Sequence, residues 1–452
     1  MSILEQIFEA GIVGCGGAGF PTHAKLSGKG IQHLILNGAE CEPLLGTDRW
    51  LMRNRADAIV QAAAAVAKEI GAKECTIGLK KAYTREIAAL ETAIKKLPRT
   101  AVPVALHTME SFYPAGDEQV LVYEVTGKVV PPAGIPLDVG AAVSNVATMA
   151  AVFDAMEGRP FTRKTLTVTG AVAEPKILCV PIGTGYTDCI RLAGGATVEN
   201  WVAVNGGPMM GKVMTMAEAA GAVVTKTTSG ILILPEEGAI GRTSKISLAH
   251  MKNRAAAACI QCSYCTELCP RHLLGHPLEP HKIMRKLALG EEITSLLEDP
   301  DIQKAALCCQ CGVCETYACP MGLQPRRVNA LIKEELGKAG IRYPKGGGDC
   351  TPLPERRSRK IPTRRAAARA GVLEWVQTDL DRMEEFLPDR VTLPLNQQIG
   401  APCQPVVREG DQVSEGQLVA RCPEGKLGAN LHASIAGTVT KAGDVIVIQE
   451  RR

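Results

Sequence analysis

Two runs of cysteine between Cys259 and Pro320 constrain this chain more than any other feature. The first is Cys259-x2-Cys262-x2-Cys265-x3-Cys269-Pro270, and the second is Cys308-x2-Cys311-x2-Cys314-x4-Cys319-Pro320. Three thiolates on one tight loop can each bind one iron of a cubane, and where two such runs occur together the fourth ligand comes from the other run. The spacing therefore predicts two [4Fe–4S] clusters. One falls on Cys259, Cys262, Cys265 and Cys319, the other on Cys308, Cys311, Cys314 and Cys269. Paired C-x-x-C is also zinc spacing, but zinc takes four ligands per site and gives no reason for a proline after the fourth. The second run carries one extra residue before its last cysteine. Cys309 falls out of register and reads as a packed thiol.

Bulk properties narrow the rest. A chain of 452 residues is too long for one core and suggests about three or four domains. A net charge of +4 and 4% aromatic residues give neither the field nor the stacking platforms of nucleic-acid binding. No apolar run reaches the length of a membrane span. The stretch Met1 to Ala10 carries Glu5 and Glu9 and no basic start, unlike a secretory signal. Seventeen cysteines with iron–sulfur spacing suit a reducing compartment, so a cytoplasmic location is expected.

Upstream of the cysteines the pattern alternates. Ser2 to Ala10 has one apolar helical face, and Gly14-Cys15-Gly16-Gly17-Ala18-Gly19-Phe20-Pro21-Thr22 follows, with Lys25 close behind. The dinucleotide fingerprint needs a strand before its glycines; Ile12-Val13 is too short to be one, so a standard Rossmann unit is rejected. A glycine loop can still bring bare N–H groups to a phosphate, or be only a tight turn. Ile31 to Asn37 reads as a buried strand ending in Gly38-Ala39-Glu40-Cys41-Glu42-Pro43, a usual place for ligand contacts in α/β sheets and equally a solvated acidic turn. Helices over Ala56 to Ile70 and Thr84 to Leu97 alternate with strands over Cys75 to Leu79 and Val102 to Leu106, which predicts an α/β domain. Asp117 and Glu118 after Gly116 suit ribityl or ribose hydroxyls or the first turn of a helix. Ser144 or Asn145 can cap the helix running to Met156.

Beyond Pro160 the strands of a small α+β module run to about Gly241, with strands at Thr165 to Ala173, Lys176 to Val180, Trp201 to Asn205 and Thr225 to Leu234. The spacer between the cysteine runs holds His272, His276 and His281, which the cluster cysteines leave without a metal to explain. Tyr343 to Ala366, with Arg356-Arg357-Ser358-Arg359-Lys360, reads as a solvated linker rather than a basic dock. Short strands and tight turns fill Val391 to Gln449.

The Gly14 to Thr22 loop, the string Asn37 to Pro43, Gly116-Asp117-Glu118 and Asn145 to Thr148 occur together and in this order. The set resembles the flavin- and NADH-binding subunit of respiratory complex I, more closely the C subunit of Rnf ferredoxin:NAD oxidoreductases, and most closely the cobalamin reductases of propanediol-utilisation microcompartments, the PduS family. The resemblance implies a multidomain α/β protein: an FMN- and NADH-binding α/β domain over 1–163, a soluble-ligand-binding β-grasp module over 164–245, a two-cluster ferredoxin-type helical domain over 246–340, a linker over 341–388 and a lipoyl-like barrel-sandwich hybrid over 389–452. The stretch Gly428 to Gly437 lacks the lysine that carriers modify, so no covalent cofactor is expected. Rnf C subunits place the hybrid first, and many add a long Ala/Lys-rich tail; both differences favour the cobalamin reductases.

Motif by motif, the resemblance implies that Gly14, Gly16, Gly17, Gly19 and Lys25 hold the FMN phosphate region. Asn37, Asn145 and Thr148 would hydrogen-bond FMN, with Asp117 and Glu118 near its polar groups. Phe20 would lie over the nicotinamide, and Glu40 and Glu42 would help place NADH. Cys41 stands where the complex I subunit has serine. The implied activity is NADH-dependent reduction of cobalamin towards cob(I)alamin for adenosylation, in 1,2-propanediol degradation, with no acid–base residue required. A corrinoid substrate, a cobalamin adenosyltransferase and a microcompartment shell protein are the implied partners. The chain has no D-x-H-x-x-G corrinoid motif. Two other readings keep the same cofactors: a peripheral Rnf-type subunit, and a non-enzymatic electron conduit through a shell.

Overall fold

Leu34, Ile35 and Leu36 are all fully buried, because the strand that carries them, His33–Asn37, is covered on both faces. It lies in a four-stranded parallel sheet, ordered Val104–Met109, Glu74–Lys80, His33–Asn37, Ala141–Asn145. Such a sheet buries both sides, so its strands read as continuous apolar runs. Leu34 and Leu36 face a core shared with the helices Ala56–Glu69 and Val146–Met156, while Ile35 and Val143 face Val120, Leu121 and Val122 of the helix Glu118–Thr126. The computed structural model describes residues 1–289, 292–346, 350–376 and 380–450.

The fourth strand is the element that sequence pattern misses. Only the cap at Ser144 or Asn145 is expected there, yet Ala141 to Asn145 pairs residue for residue with His33 to Asn37. Asn145 ends the strand and caps the next helix, its Oδ1 accepting from the Ala147 N–H at 2.8 Å. The cap signal is legible in the sequence; the strand before it is only five residues long.

The second module is a six-stranded mixed sheet. Its strand Gly230–Pro235 starts later than the apolar pattern suggests, because Thr225 to Thr228 fold into a turn closed by the Thr225 N–H donating to Thr228 Oγ1 at 3.0 Å. A strand at Lys212–Thr215 and a helix at Met216–Ala220 add to the expected elements. The sheet's edge comes from far along the chain: Met383–Glu385 pairs parallel with Lys176–Pro181. The cysteine region is built on three helices, Leu248–Ala258, Pro280–Ala288 and Pro325–Lys338, which bury Met251, Ile283, Leu287, Val328 and Ile332 together.

The solvated-linker reading of Tyr343 to Ala366 is corrected. Arg356 donates to Glu124 Oε1, and Lys360 to Glu124 Oε2 at 3.0 Å. Arg356 also stacks over Tyr123 and Lys360 over Phe112, while Arg359 pairs with Glu267 at 2.9 Å. Ile361 and Pro362 then pair antiparallel with Tyr113 and Phe112. The basic run is a strap across the first domain: a half-buried glutamate and two aromatic faces give its cations better partners than water.

The last segment is a sandwich of a four-stranded and a three-stranded sheet around Val391, Leu393, Val419, Leu431, Val439 and Ile446. Its stretch Gly428 to Gly437 docks inward. Ser434 is fully buried and its hydroxyl donates to the Ile182 carbonyl. Lys226, also fully buried, donates to the carbonyls of Gly11 at 2.6 Å and Asn430 at 2.5 Å. One ammonium thus joins three domains. Among the described residues no helix is long and apolar enough to cross a membrane.

Candidate flavin and iron–sulfur sites

The glycine loop stands over the carboxyl ends of two neighbouring strands. An isolated bridge between Val13 and Pro21 closes its base, with the Gly14 N–H donating to the Phe20 carbonyl at 2.9 Å. The Cys15 N–H donates to the buried Thr148 hydroxyl at 3.0 Å, anchoring the loop on the helix after the fourth strand. Gly16, Gly17 and Ala18 are exposed at the tip. Gly17 has φ +104°, a conformation that favours glycine, and a side chain there would enter open space. Beneath the tip lie Asn37 and Asn145, register partners on adjacent strands. Asn145 Nδ2 donates to Asp48 Oδ2 at 2.7 Å, and Asn37 Nδ2 to the Gly116 carbonyl at 2.9 Å.

Two further residues line this cleft that sequence pattern does not single out. Lys164 is buried, and its ammonium donates to the Cys15 carbonyl at 3.1 Å. It shares a strand face with Leu166 and Val168, so a lysine at an inward strand position was the available signal. Asp48, in the first turn of the helix Thr47–Asn54, is buried, and burial pushes its carboxyl up to about 6. The open glycine tip, the ammonium beneath it and the paired asparagine amides fit the phosphate and the polar edge of FMN. Lys25, by contrast, pairs with Glu118, and Phe20 lies half-buried at the end of the loop.

The remaining acids divide. Glu40 lies half-buried beside Asp48 and Glu42; burial first, and then these two charges, push its carboxyl well above the usual range. Its backbone carbonyl accepts from Lys80 Nζ and the Tyr83 hydroxyl, both at 2.8 Å. Glu42 is turned towards protein: Oε2 accepts from the Met209 N–H at 2.8 Å, and Oε1 lies 3.0 Å from the Tyr113 hydroxyl. Burial pushes Glu42 up to about 7. Asp117 is committed on both oxygens. Oδ1 accepts from the N–H groups of Gln119 and Val120 at the helix start, and Oδ2 from Arg271 Nη2 at 2.9 Å. Glu42 and Asp117 therefore face the seam between the first domain and its neighbours, whereas Gly16, Asn37, Asn145 and Thr148 gather at the cleft.

The two cysteine loops share one backbone shape. Gln261 and Ser263 have positive φ in the first, and Gln310 and Gly312 in the second, each two and four residues past the leading cysteine. This match pairs Cys308, not Cys309, with Cys259, and puts Cys309 opposite Ile260. The extra residue of the second run is taken up by a π-helical turn over Val313–Ala318, the usual way to insert one residue into a helix. Cys319 thereby stays beside Cys265, together with Cys259 and Cys262. Cys269, Cys308, Cys311 and Cys314 line a separate cavity with Cys309 and Asn329. The nine cysteines of the two runs are joined by no disulfide.

The polar groups around the second set fit a cluster. Asn329 is fully buried with no nitrogen or oxygen partner among the described residues, and its amide lies against the Cys308 thiol. A backbone N–H already points at sulfur in each set: Gln310 donates to Cys308 Sγ in the second and Leu323 to Cys319 Sγ in the first, both at 3.4 Å. Burial and the neighbouring thiols push Cys265 up to about 12. Of the spacer histidines, His276 is buried with its Nε2 2.8 Å from the Val130 carbonyl, and His281 Nδ1 lies 2.7 Å from the Thr266 hydroxyl.

Four stretches of the chain match known families. Residues 7–154 match the Nuo51 FMN-binding domain, 165–213 the SLBB domain, 258–324 the 4Fe-4S dicluster domain, and 377–452 the RnfC barrel sandwich hybrid domain. The chain is 40% identical over 442 residues to the cobalamin reductase PduS of Citrobacter freundii, covering 97% of this chain and 94% of that one. It is also 40% identical over 440 residues to the Salmonella typhimurium cobalamin reductase PduS, with the same coverage. The Na(+)-translocating ferredoxin:NAD(+) oxidoreductase complex of Acetobacterium woodii has a C subunit that is 37% identical over 277 residues, which span 60% of this chain and 58% of that one. With FMN-binding and 4Fe-4S domains on one chain, the protein is an electron-transfer oxidoreductase.

Proposed function

The chain belongs to the cobalamin reductase PduS family, and from that premise we propose that it uses NADH to reduce the cobalt of a corrinoid towards cob(I)alamin. The observation that carries this reading is the direct join between the two sites. Asp117, next to the flavin-side Gly116, pairs with Arg271, two residues past Cys269, at 2.9 Å. Tyr113 reaches the Cys311 carbonyl at 2.6 Å. A flavin in the cleft and clusters on the cysteines would then be neighbours across one packed seam, with no loop of solvent between them.

Gly16, Gly17 and Lys164 receive the phosphate of FMN, while Asn37 and Asn145 orient its polar groups. Glu40 borders the open side, where NADH approaches. Cys269, Cys308, Cys311 and Cys314 hold one [4Fe–4S] cluster, and Cys259, Cys262, Cys265 and Cys319 the other. When bound, the flavin and clusters together supply the exchange between a two-electron donor and one-electron acceptors. The chain supplies position and a dry path: Tyr113 and Val313 are almost fully buried in the core between the sites. The corrinoid is the terminal acceptor, handed on to an adenosyltransferase in a microcompartment whose shell protein the enzyme meets.

The test is anaerobic. Reconstituted protein, given NADH and cob(II)alamin, should form cob(I)alamin, trapped as the alkylated product by an added alkyl halide. Holo-protein that NADH reduces but that leaves the corrinoid untouched would point to the Rnf-type or conduit role instead.

A further inference from the structure

Arg271 stands between the first domain and the second cysteine set. It follows Cys269 and Pro270 on the short helix Pro270–Leu273 and is 7% exposed. Nη2 donates to Asp117 Oδ2 at 2.9 Å. Its other donors, Nε and Nη1, meet no nitrogen or oxygen acceptor among the described residues; on that side the guanidinium lies against the thiol of Cys309, a hydrogen-bond partner, and close to that of Cys269. Burying a cation on one carboxylate oxygen and a thiol is costly, and a nearby negative charge offsets that cost. On that side the surroundings are sulfur: the cavity is lined by Cys269, Cys308, Cys309, Cys311 and Cys314.

We propose that Arg271, held by Asp117 and the Cys309 thiol at the flank of the cluster on Cys269, Cys308, Cys311 and Cys314, raises the reduction potential of that cluster by its charge. This rests on the reading that those cysteines hold a cubane. Reduction adds one electron, and so one negative charge, to a cluster that is already anionic. A fixed, buried cation at its flank favours the reduced form. Asp117, on the opposite edge of the same guanidinium, offsets part of that charge, so the ion pair sets how strongly the cluster feels it. Arg271 is a positioning and tuning residue: it reacts with nothing, and the seam between the domains becomes an electrostatic element of the electron path. Cys309, out of register as a ligand, is then a neighbour of the guanidinium on the cluster's flank.

The full chain, reconstituted anaerobically with iron and sulfide, is titrated potentiometrically with EPR detection. Arg271→Gln should keep its iron and lower the midpoint of one cluster by about 59 mV, a tenfold change for one electron, with the other cluster unmoved. Arg271→Lys should fall between. Asp117→Asn keeps a good helix cap and should move the same midpoint upward. Opposite shifts cannot come from general loosening. An unmoved midpoint in iron-loaded Arg271→Gln, or an unmoved or lowered one in Asp117→Asn, overturns the proposal. If Arg271→Gln takes up no iron, Asp117→Asn alone decides. Wild-type protein that forms no cluster on this cysteine set contradicts the cluster assignment itself, an outcome distinct from unmoved potentials.

Discussion

The Tyr113 hydroxyl lies 2.6 Å from the backbone carbonyl of Cys311 and 3.0 Å from Glu42 Oε1. One phenolic proton faces two acceptors. The shorter contact takes it, and the arrangement closes if Glu42 carries its own proton and donates to the phenol oxygen. Burial favours that neutral form. Tyr113→Phe should leave the Cys311 carbonyl without its donor and cost about 1–3 kcal/mol, read by denaturant unfolding. FMN and iron content should stay unchanged, while stopped-flow reduction of the clusters by flavin slows.

Glu42 also makes stability depend on pH in a predictable direction. Its carboxyl is raised by burial from an ordinary 4.5 to about 7, against the backbone N–H groups of Met209 and Met210 and the charge of Arg326. The folded state therefore holds a proton that the unfolded chain gives up. The associated stability is complete below about pH 4.5 and is lost as pH rises through about 7. Glu40 and Asp48 are raised too, so the test is a difference: wild type minus Glu42→Gln, by urea unfolding from pH 5 to 8. Glu42→Gln should flatten part of the slope; parallel curves would show that Glu42 is ionised throughout.

Lys164 should matter to flavin more than to folding. Lys164→Met removes the buried ammonium under the glycine tip while keeping an apolar stem of similar length. The expected result is a folded protein, by circular dichroism, that retains FMN at least tenfold less tightly by fluorescence titration. Unchanged FMN affinity would place the phosphate elsewhere.

The crossed ligand sets give a selective cysteine prediction. Cys262→Ala should abolish the EPR signal of one cluster, lower the iron content by roughly half, and leave FMN bound. Cys309→Ser should retain both clusters, since the backbone match aligns Cys309 with Ile260 rather than with a ligand.

Much of this site was legible in the sequence, for physical reasons that differ from residue to residue. The cysteine spacing carried its own geometry, because three thiols on a tight loop fit few other structures. Asn145 was visible as a helix cap. The strand Ala141–Asn145 was not, since alanines before a cap read equally well as helix. Lys164 was hidden because an inward lysine looks like a break in an apolar pattern until its partner, the Cys15 carbonyl, is known. Glu42 and Asp117 were read as ligand contacts, but Met209, Tyr113 and Arg271, from distant parts of the chain, occupy their carboxylates. The basic strap looked solvated because its acceptor, Glu124, lies 232 residues away from Arg356. Spacing reveals local chemistry; long-range pairing must be seen in three dimensions.

The central claim is that flavin cleft and cysteine sets form one electron path that starts at NADH. The most direct measurement is anaerobic stopped-flow mixing of reconstituted protein with NADH, following the flavin absorbance and, by freeze-quench EPR, the clusters. On a single path the flavin bleaches first, the cluster signals follow, and FMN-free Lys164→Met protein shows neither. Clusters that NADH reduces equally fast without flavin, or a flavin that NADH leaves oxidised, would contradict it.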